Sequence, residues 1–470
     1  MEKKAKIIAT IGPSISSLST LRKIIGLGVD AFRINFSHDL TNIKKIIQQI
    51  RSLEKKTSKN VSIIGDLQGV KIRIGRFKKK NKIIKKNQLF TFDLKNKPGD
   101  KNRVTLPYPK LLKKIKKNHI ILVDDGKYAF KVIKRNSLSV ITKNLSQDFT
   151  ISDMKSIHIK NLSIPFNNFT KKDKLDIKLA KKLGCEWVAL SYVENAKLIY
   201  KAKKLLGKNI GIISKIENKL AVKNIDEIIK ASDAIMVARG DLALDVGHSK
   251  VPKIQLGIIK KCNNSSKPVI VATQMLESMI NNFTATRAEI NDIATAIFQG
   301  ADTVMLSAET AVGKYPVQAV KTMFKTIVST EAYKKEHIED FKSSIEVKRD
   351  PIKSIVLSVK DLAYNPSVKA IIAFSNSGTT AKLVSAVRPR VKIITISPNI
   401  IVSRQMSLLW GVQSIKSKDA NGWKDMINIS RQIIKKDKSI KKNDFVIITA
   451  GLPFGNATMT NMIRLYKVGS

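Results

Sequence analysis

The sequence predicts an α/β protein: a (β/α)8 TIM barrel, a small β-barrel lid inserted into it, and a separate C-terminal α/β domain. Three observations carry this. Eight short apolar runs recur along the chain, each ending in polar residues and most followed by a lysine-rich segment of helical period. Between about Val70 and Pro165 that pattern gives way to short strands punctuated by Pro, Gly and Asn. After about residue 345 the repeat stops and a new helix–strand alternation begins.

The eight runs are "KIIATIGP", "VDAFRINFSH", "VSIIGDLQG", "CEWVALSY", "IGIISKIE", "AIMVARGD", "PVIVATQM" and "TVMLSAET". Apolar runs of this length suit strands covered on both faces, as in a parallel sheet. Eight strand–helix units imply a closed barrel. The interrupting segment, "FTFDLKNKPGDKNRVTLPYP" and "NHIILVDDGKYAFKVIKRNSLSVITKNL", reads as a small all-β module. An insertion of that size at the barrel mouth is a lid. The expected domains are residues 1–69 with 166–345, residues 70–165, and residues 346–470.

At 470 residues the chain can build a large core. Its two cysteines, Cys185 and Cys262, imply no disulfide framework and fit a reducing cytoplasm. The opening "MEKKAKIIATIGPS" has too short an apolar stretch for a signal peptide, and no run approaches the roughly 18 apolar residues of a membrane span. A soluble protein is expected, with no membrane partner. The net charge of +49 raises the question of nucleic acid. Such a footprint is concentrated and interleaved with aromatics. Here lysine is spread over every segment and aromatics make up 6%. Solvated faces and a drift in composition account for the charge, and no nucleic-acid partner is expected.

In a (β/α)8 barrel the strands deliver their C-terminal ends to one mouth. Those ends carry Asn35 and Ser37, Asp66, Ser191, Lys215 and Glu217, Asp241, Thr273, and Ser307 with Glu309. Lys215 and Glu217 lie two residues apart, so strand alternation puts them on one side. Glu217 and Asp241 offer oxygen ligands from adjacent runs, which suits Mg²⁺, a cation that keeps several waters and bridges to substrate oxygens. No His/Cys cluster exists, which argues against zinc. A lysine beside such a cation, with Arg33 nearby, is an array for stabilising phosphoryl or enolate oxygens. The residues therefore point to Mg²⁺-dependent phosphoryl transfer or enolate chemistry on a small anionic substrate. In the C-terminal domain "SNSGTTA" lies between strand and helix. It reads either as a phosphate cradle or as a plain helix cap.

Taken in order, "KIIATIGPS", "RINFSH", "GDLQGVKIR", "LVDDG", "IISKIEN", "IMVARGDL", "ATQMLESM", "TRAE" and "VMLSAETAVGKYP" resemble the motifs of the pyruvate kinase family along nearly the whole chain. The resemblance implies transfer of a phosphoryl group from phosphoenolpyruvate to ADP, giving pyruvate and ATP in glycolysis, by a homotetramer. It implies that Arg33 binds the substrate phosphate and that Lys215 stabilises the phosphoryl group in flight and the enolate. Glu217 and Asp241 would hold Mg²⁺ or Mn²⁺, with Gly240 and Thr273 against the substrate. Thr273, water and Ser307 would deliver the proton that turns enolate into pyruvate. His38 and Arg73 would face the nucleotide. Asn35, Ser37, Asp66 and the carbonyl of Leu67 match the family's monovalent-cation site. The loop of Ser375, Ser377, Thr379 and Thr380 would bind a phosphorylated allosteric effector.

The chain also departs from the family pattern. Val70 stands where a proline hinges the lid, Asp39 and Ala243 replace glycines, and Phe283 and Ala285 replace prolines. Glu194 and Asn195 occupy positions that often carry a basic residue near the nucleotide, and Thr379 stands where some relatives have arginine. "GVKIR" has Lys71 where K⁺-requiring relatives carry glutamate. An ammonium there supplies covalently the positive charge an ion would bring. One such pair at ~4 Å and an effective dielectric of 20 is worth about 4 kcal/mol. The enzyme is expected not to require K⁺. Another Mg²⁺ barrel enzyme forming an enolate would share Glu217, Asp241 and an arginine, but would not need the lid or the "TRAE" helix. An inactive relative kept for binding would not need every catalytic residue.

Overall fold

A computed structural model describes residues 3–38, 40–70, 72–78, 81–160, 162, 168–337, 350–453 and 459–469. Asp39, Lys71 and Pro165 lie outside the described residues. Eight parallel strands close into a barrel: β1 (Lys6–Thr10), β2 (Ala31–Asn35), β3 (Ser62–Asp66), β4 (Trp187–Leu190), β5 (Gly211–Ile216), β6 (Ala234–Ala238), β7 (Val269–Ala272) and β8 (Thr303–Leu306). Each lies within one of the eight apolar runs. Neighbours pair in sequence order around the ring, and β8 pairs with β1.

The pleat sorts side chains into two cores. Ile7, Phe32, Ile63, Val188, Val237 and Val304 pack outward among the helices. Ile8, Ala31, Ile64, Trp187, Ile213 and Met305 point inward and fill the barrel, where Leu408 from the C-terminal domain joins them. Helix ends are set by local chemistry. Thr170 and Asp173 form a capping box at Lys171–Leu183, and Thr286 and Glu289 form another at Arg287–Phe298. Asp173 also accepts from the Gly69 N–H at 3.0 Å, tying this cap to the exit of β3.

The barrel floor shows a fourfold device. A carboxylate stands immediately before each even-numbered strand: Asp30, Glu186, Asp233 and Asp302. Each accepts the N–H of a residue on the preceding odd strand: Ile7 at 2.9 Å, Ile63 at 2.8 Å, Ile212 at 3.0 Å and Val269 at 2.9 Å. Each is also paired with a cation. Asp30 meets Lys3, Glu186 meets Arg51 at 2.5 Å, Asp233 meets Lys203 at 3.3 Å and Asp302 meets Arg388 at 2.7 Å. Asp30, Glu186 and Asp302 are buried, and buried carboxylates need such partners; Asp233 is half-buried.

The inserted segment builds a six-stranded mixed sheet and a two-stranded ribbon, Asn81–Ile84 with Phe149–Ser152. Both sheets enclose one core, in which Phe92 meets Phe90 and Phe130 edge-on at centroid distances of 5.4 and 5.5 Å. The C-terminal segment forms a five-stranded sheet in which only the last strand, Met462–Lys467, is antiparallel. This domain closes the barrel floor. Thr303 Oγ1 donates to the Leu408 carbonyl at 2.9 Å, Lys6 Nζ to that of Val412 at 2.7 Å, and Arg404 reaches Glu54 at 2.7 Å and Glu186 at 3.4 Å.

Asp302 thus joins β7, the floor and Arg388 of the C-terminal domain. Removing one partner of a buried pair leaves the other uncompensated, at a cost of about 3–5 kcal/mol. Asp302→Ala should lower the thermal unfolding midpoint by several degrees. Arg388→Ala should act comparably, and the double variant should fall well short of the sum of the two losses. Thermal unfolding followed by circular dichroism checks this.

Candidate active site

The alternation that fills the barrel continues beyond its apolar layers. Two residues after Ile8 comes Thr10, after Ala31 Arg33 and then Asn35, after Ile64 Asp66, after Ala189 Ser191, and after Ile213 Lys215 and then Glu217. The face that buries carbon below presents polar atoms at the mouth.

Lys215 stands at the centre. Its Nζ donates to Ser191 Oγ at 2.7 Å, lies 2.9 Å from Glu217 Oε1, and approaches Asp66 Oδ1 at 3.3 Å. Ser191 Oγ in turn donates a hydrogen bond to the Leu67 carbonyl at 2.8 Å. Burial works against the ammonium, but Asp66 and Glu217 outweigh it and hold the Lys215 pKa above its usual value. Burial works against the Asp66 charge too, and there Lys215 and Arg33 prevail, keeping its pKa low. Glu217 differs. Burial, joined by the like charge of Asp241, raises its pKa despite Lys215 and the Tyr192 N–H, which donates to Oε2 at 2.6 Å.

Arg33 is oriented from two sides. Its Nε donates to Asp66 Oδ2 at 2.6 Å and its Nη1 to Thr10 Oγ1 at 3.3 Å, leaving further donors for an anion. Asp66 Oδ1 is buried and accepts no aligned hydrogen bond. Asn35 Oδ1 accepts from the Ser37 N–H at 3.1 Å, and β2 registers Asn35 opposite Asp66. Asn35, Asp66 and Leu67 therefore cluster, whereas Ser37 lies exposed at the edge.

Across the mouth, the Gly240 N–H donates to Thr273 Oγ1 at 2.9 Å, and Thr273 Oγ1 donates to the Ala272 carbonyl at 2.6 Å. Thr273 and Gln274 both adopt left-handed backbone, with φ of 70° and 55°. The Ser307 N–H donates to Glu309 Oε2 at 2.7 Å, and Glu309 Oε1 accepts from Leu276 N–H at 3.1 Å, so one buried carboxylate bridges the exits of β7 and β8. Glu217 and Asp241 can supply part of the shell of a divalent cation. Two carboxylates beside an open cleft fit a divalent cation, which would take its remaining oxygens from water and substrate. No group of three or more His, Cys, Asp or Glu among the described residues could hold a metal without such help.

The lid lies over this mouth. A cleft of about 80 Å³ between them is lined by Asp125, Gly126 and His158 of the lid and by Tyr192, Glu217 and Asp241 of the barrel. Gly126 takes left-handed backbone at φ 86°, and a Cβ there would lie 2.4 Å from Leu244 Cδ2, so Leu244 would have to move. His158 Nε2 lies 3.5 Å from Asp245 Oδ1. Arg73 sits at the lid base, donating to the Met154 carbonyl at 2.7 Å. His38 is exposed at the rim after β2. In the C-terminal domain Ser377 and Thr379 bring exposed hydroxyls within 2.9 Å of each other around Gly378, at φ 81°. Ser375 and Thr380 are buried instead, and Thr380 bonds Thr460 at 2.9 Å.

Three residues of the site carry no role in the sequence reading. Thr10 could have been found by counting two residues on from Ile8. Tyr192 acts through its backbone N–H and so leaves no side-chain signal. Arg239 sits inside a quoted motif, yet only the fold shows where its guanidinium goes.

Comparison with known proteins fits this geometry. Family models described as the pyruvate kinase barrel domain and the pyruvate kinase alpha/beta domain match residues 2–320 and 353–466. A pyruvate kinase of Agrobacterium vitis is 34% identical over all of this chain and 97% of its own length. One from Clostridium perfringens is 36% identical over 99% of this chain and 100% of its own. The crystal structure of a pyruvate kinase from Cryptosporidium parvum superposes with a TM-score of 0.90 at 30% identity, covering 99% of this chain and 96% of that one. Fold, length and motifs agree throughout: the chain is a kinase and belongs to the pyruvate kinase family.

Proposed function

We propose that this chain moves the phosphoryl group of phosphoenolpyruvate to ADP, giving pyruvate and ATP in the last step of glycolysis. It does so as a Mg²⁺-dependent, K⁺-independent cytoplasmic homotetramer. The observation that carries the reading is Lys215, held charged between Ser191, Glu217 and Asp66 at the mouth of the barrel. Arg33, fixed by Asp66 and Thr10, takes the substrate phosphate. Lys215 meets the negative charge that develops on the phosphoryl and enolate oxygens. Glu217 and Asp241 hold the divalent cation, Mg²⁺ or Mn²⁺, which when bound draws charge from those oxygens. Thr273 and Ser307, with water, deliver a proton to the enolate carbon. His38 and Arg73 face the nucleotide, and the lid excludes water. The exposed hydroxyls of Ser377 and Thr379 at a helix start support binding of a phosphorylated effector there, with Ser375 and Thr380 as buried supports.

A coupled assay of pyruvate formation tests this directly. The wild-type chain should be active with phosphoenolpyruvate, ADP and Mg²⁺ and inactive once a chelator is added. Lys215→Met should lower kcat by about 10²–10³-fold, because a preorganised charge contributes roughly 3–4 kcal/mol in the transition state. Its KM for phosphoenolpyruvate should change far less. Near-normal turnover in that variant would remove Lys215 from the chemistry.

Asn35, Asp66 and Leu67 support a cation site, and Ser37 borders it. Lys71, outside the described residues, is proposed to supply the charge K⁺ brings elsewhere. Rates with and without K⁺ should therefore be comparable in Na⁺-free buffer, and Lys71→Glu should create a K⁺ requirement. A wild-type rate that collapses without K⁺ would show that Lys71 does not replace the ion.

A further inference from the structure

Arg239 is the first residue of the helix Arg239–Val246, directly after β6. A cation is badly placed at a helix N-terminus. This one is also buried, its side chain 9% exposed. The guanidinium does not turn to solvent. It crosses to the end of β7, where Nη2 donates to the Thr273 carbonyl at 2.6 Å and Nε to the Ala272 carbonyl at 3.3 Å. Nη1 reaches past them to Asp292 Oδ1 at 2.7 Å, on the helix Arg287–Phe298.

The turn it grips is strained. Thr273 is β-branched and sits at φ 70°, and Gln274 follows at φ 55°. Such a conformation persists only where its surroundings over-determine it. The Ala272 carbonyl is the telling atom. It accepts from Thr273 Oγ1 at 2.6 Å and from Arg239 Nε at 3.3 Å. Meanwhile the Gly240 N–H holds the Thr273 oxygen at 2.9 Å. The hydroxyl hydrogen can therefore rotate about the Cβ–Oγ bond without moving the oxygen. Arg239 stays behind to satisfy the carbonyl that the hydrogen leaves.

We propose that Arg239 is a positioning residue for the reaction. It locks the left-handed turn at Thr273, and it keeps a donor on the Ala272 carbonyl so that the Thr273 hydroxyl can point its proton at the substrate. Asp292 anchors the guanidinium. This rests on the reading of Thr273 as a substrate-contacting group. Lysine cannot serve in its place, since one ammonium cannot span two carbonyls and a carboxylate in a fixed plane.

The test compares Arg239→Lys, Thr273→Ala and the double variant in the coupled assay. Exchange of pyruvate methyl protons with deuterated solvent, followed by NMR, reports the proton step separately. Arg239→Lys should lower kcat and the exchange rate together by about 10- to 100-fold, the scale of a misplaced catalytic group. KM for phosphoenolpyruvate should stay within about threefold. The double variant should be no slower than Thr273→Ala alone, because Arg239 acts only through that residue. Unchanged turnover in Arg239→Lys, a loss confined to KM, or additive losses in the double variant would each overturn the proposal. If Thr273→Ala itself is fully active, the reading of Thr273 fails first, and that result is distinct. Should Arg239→Lys not fold, Asp292→Asn carries the test, with a loss in kcat of about 3- to 10-fold expected and the same non-additivity. Unchanged turnover there overturns the proposal.

Discussion

Everything in this molecule rests on the pleat of eight strands closed into a ring. Closure leaves each strand one face toward the helices and one toward the axis. Because the side-chain period is two, the inward set must be apolar in the middle and is free to be polar only at the ends. Ile213 and Lys215 are inward neighbours on β5, one in the core and one in the site. A slip of one residue would exchange Lys215 for Ile216 and bury the ammonium among the helices. The register of β5 against β6, with Lys215 opposite Met236, thus fixes both the core packing and the place of Lys215 at the mouth.

The two ends of the barrel handle charge differently. At the floor each carboxylate meets a strand N–H and a cation, and the pairs involving Arg388 and Arg404 extend into the C-terminal domain. Those pairs tie strand ends to helices and to the second domain, although Arg388 Nε has no hydrogen-bond partner among the described residues and burial still raises the Glu186 pKa. At the mouth the charges are crowded into one network around Lys215. Asp66 Oδ1 accepts no aligned hydrogen bond, and Glu217 has its pKa raised by burial and Asp241. The same residue types thus tie down one end of the barrel and line the cleft at the other.

The lid and the C-terminal domain divide the remaining work. The lid meets the barrel through the Gly126–Leu244 contact and the His158–Asp245 pair, close to Asp241 on the same helix. The C-terminal domain sends Leu408 into the barrel floor.

The sequence by itself determined the barrel, the insertion, the second α/β domain and most of the mouth. Apolar runs with polar ends report burial directly, and period two reports which residues share a face. Lys215, Glu217, Asp66 and Arg33 were legible for that reason. At the floor "VD", "CE", "SD" and "AD" precede β2, β4, β6 and β8, but the sequence alone assigned these carboxylates no part. That regularity acquires meaning only once the ring is closed. Tertiary structure alone decided the rest. A backbone N–H such as that of Tyr192 has no letter in the sequence. The buried positions of Ser375 and Thr380, beside the exposed Ser377 and Thr379, follow from how one helix packs. Above all, the route of the Arg239 side chain to the carbonyls of Ala272 and Thr273 depends on β6 and β7 lying side by side. Hydrogen bonds between strands far apart in sequence are set by closure of the barrel, and no local pattern records them.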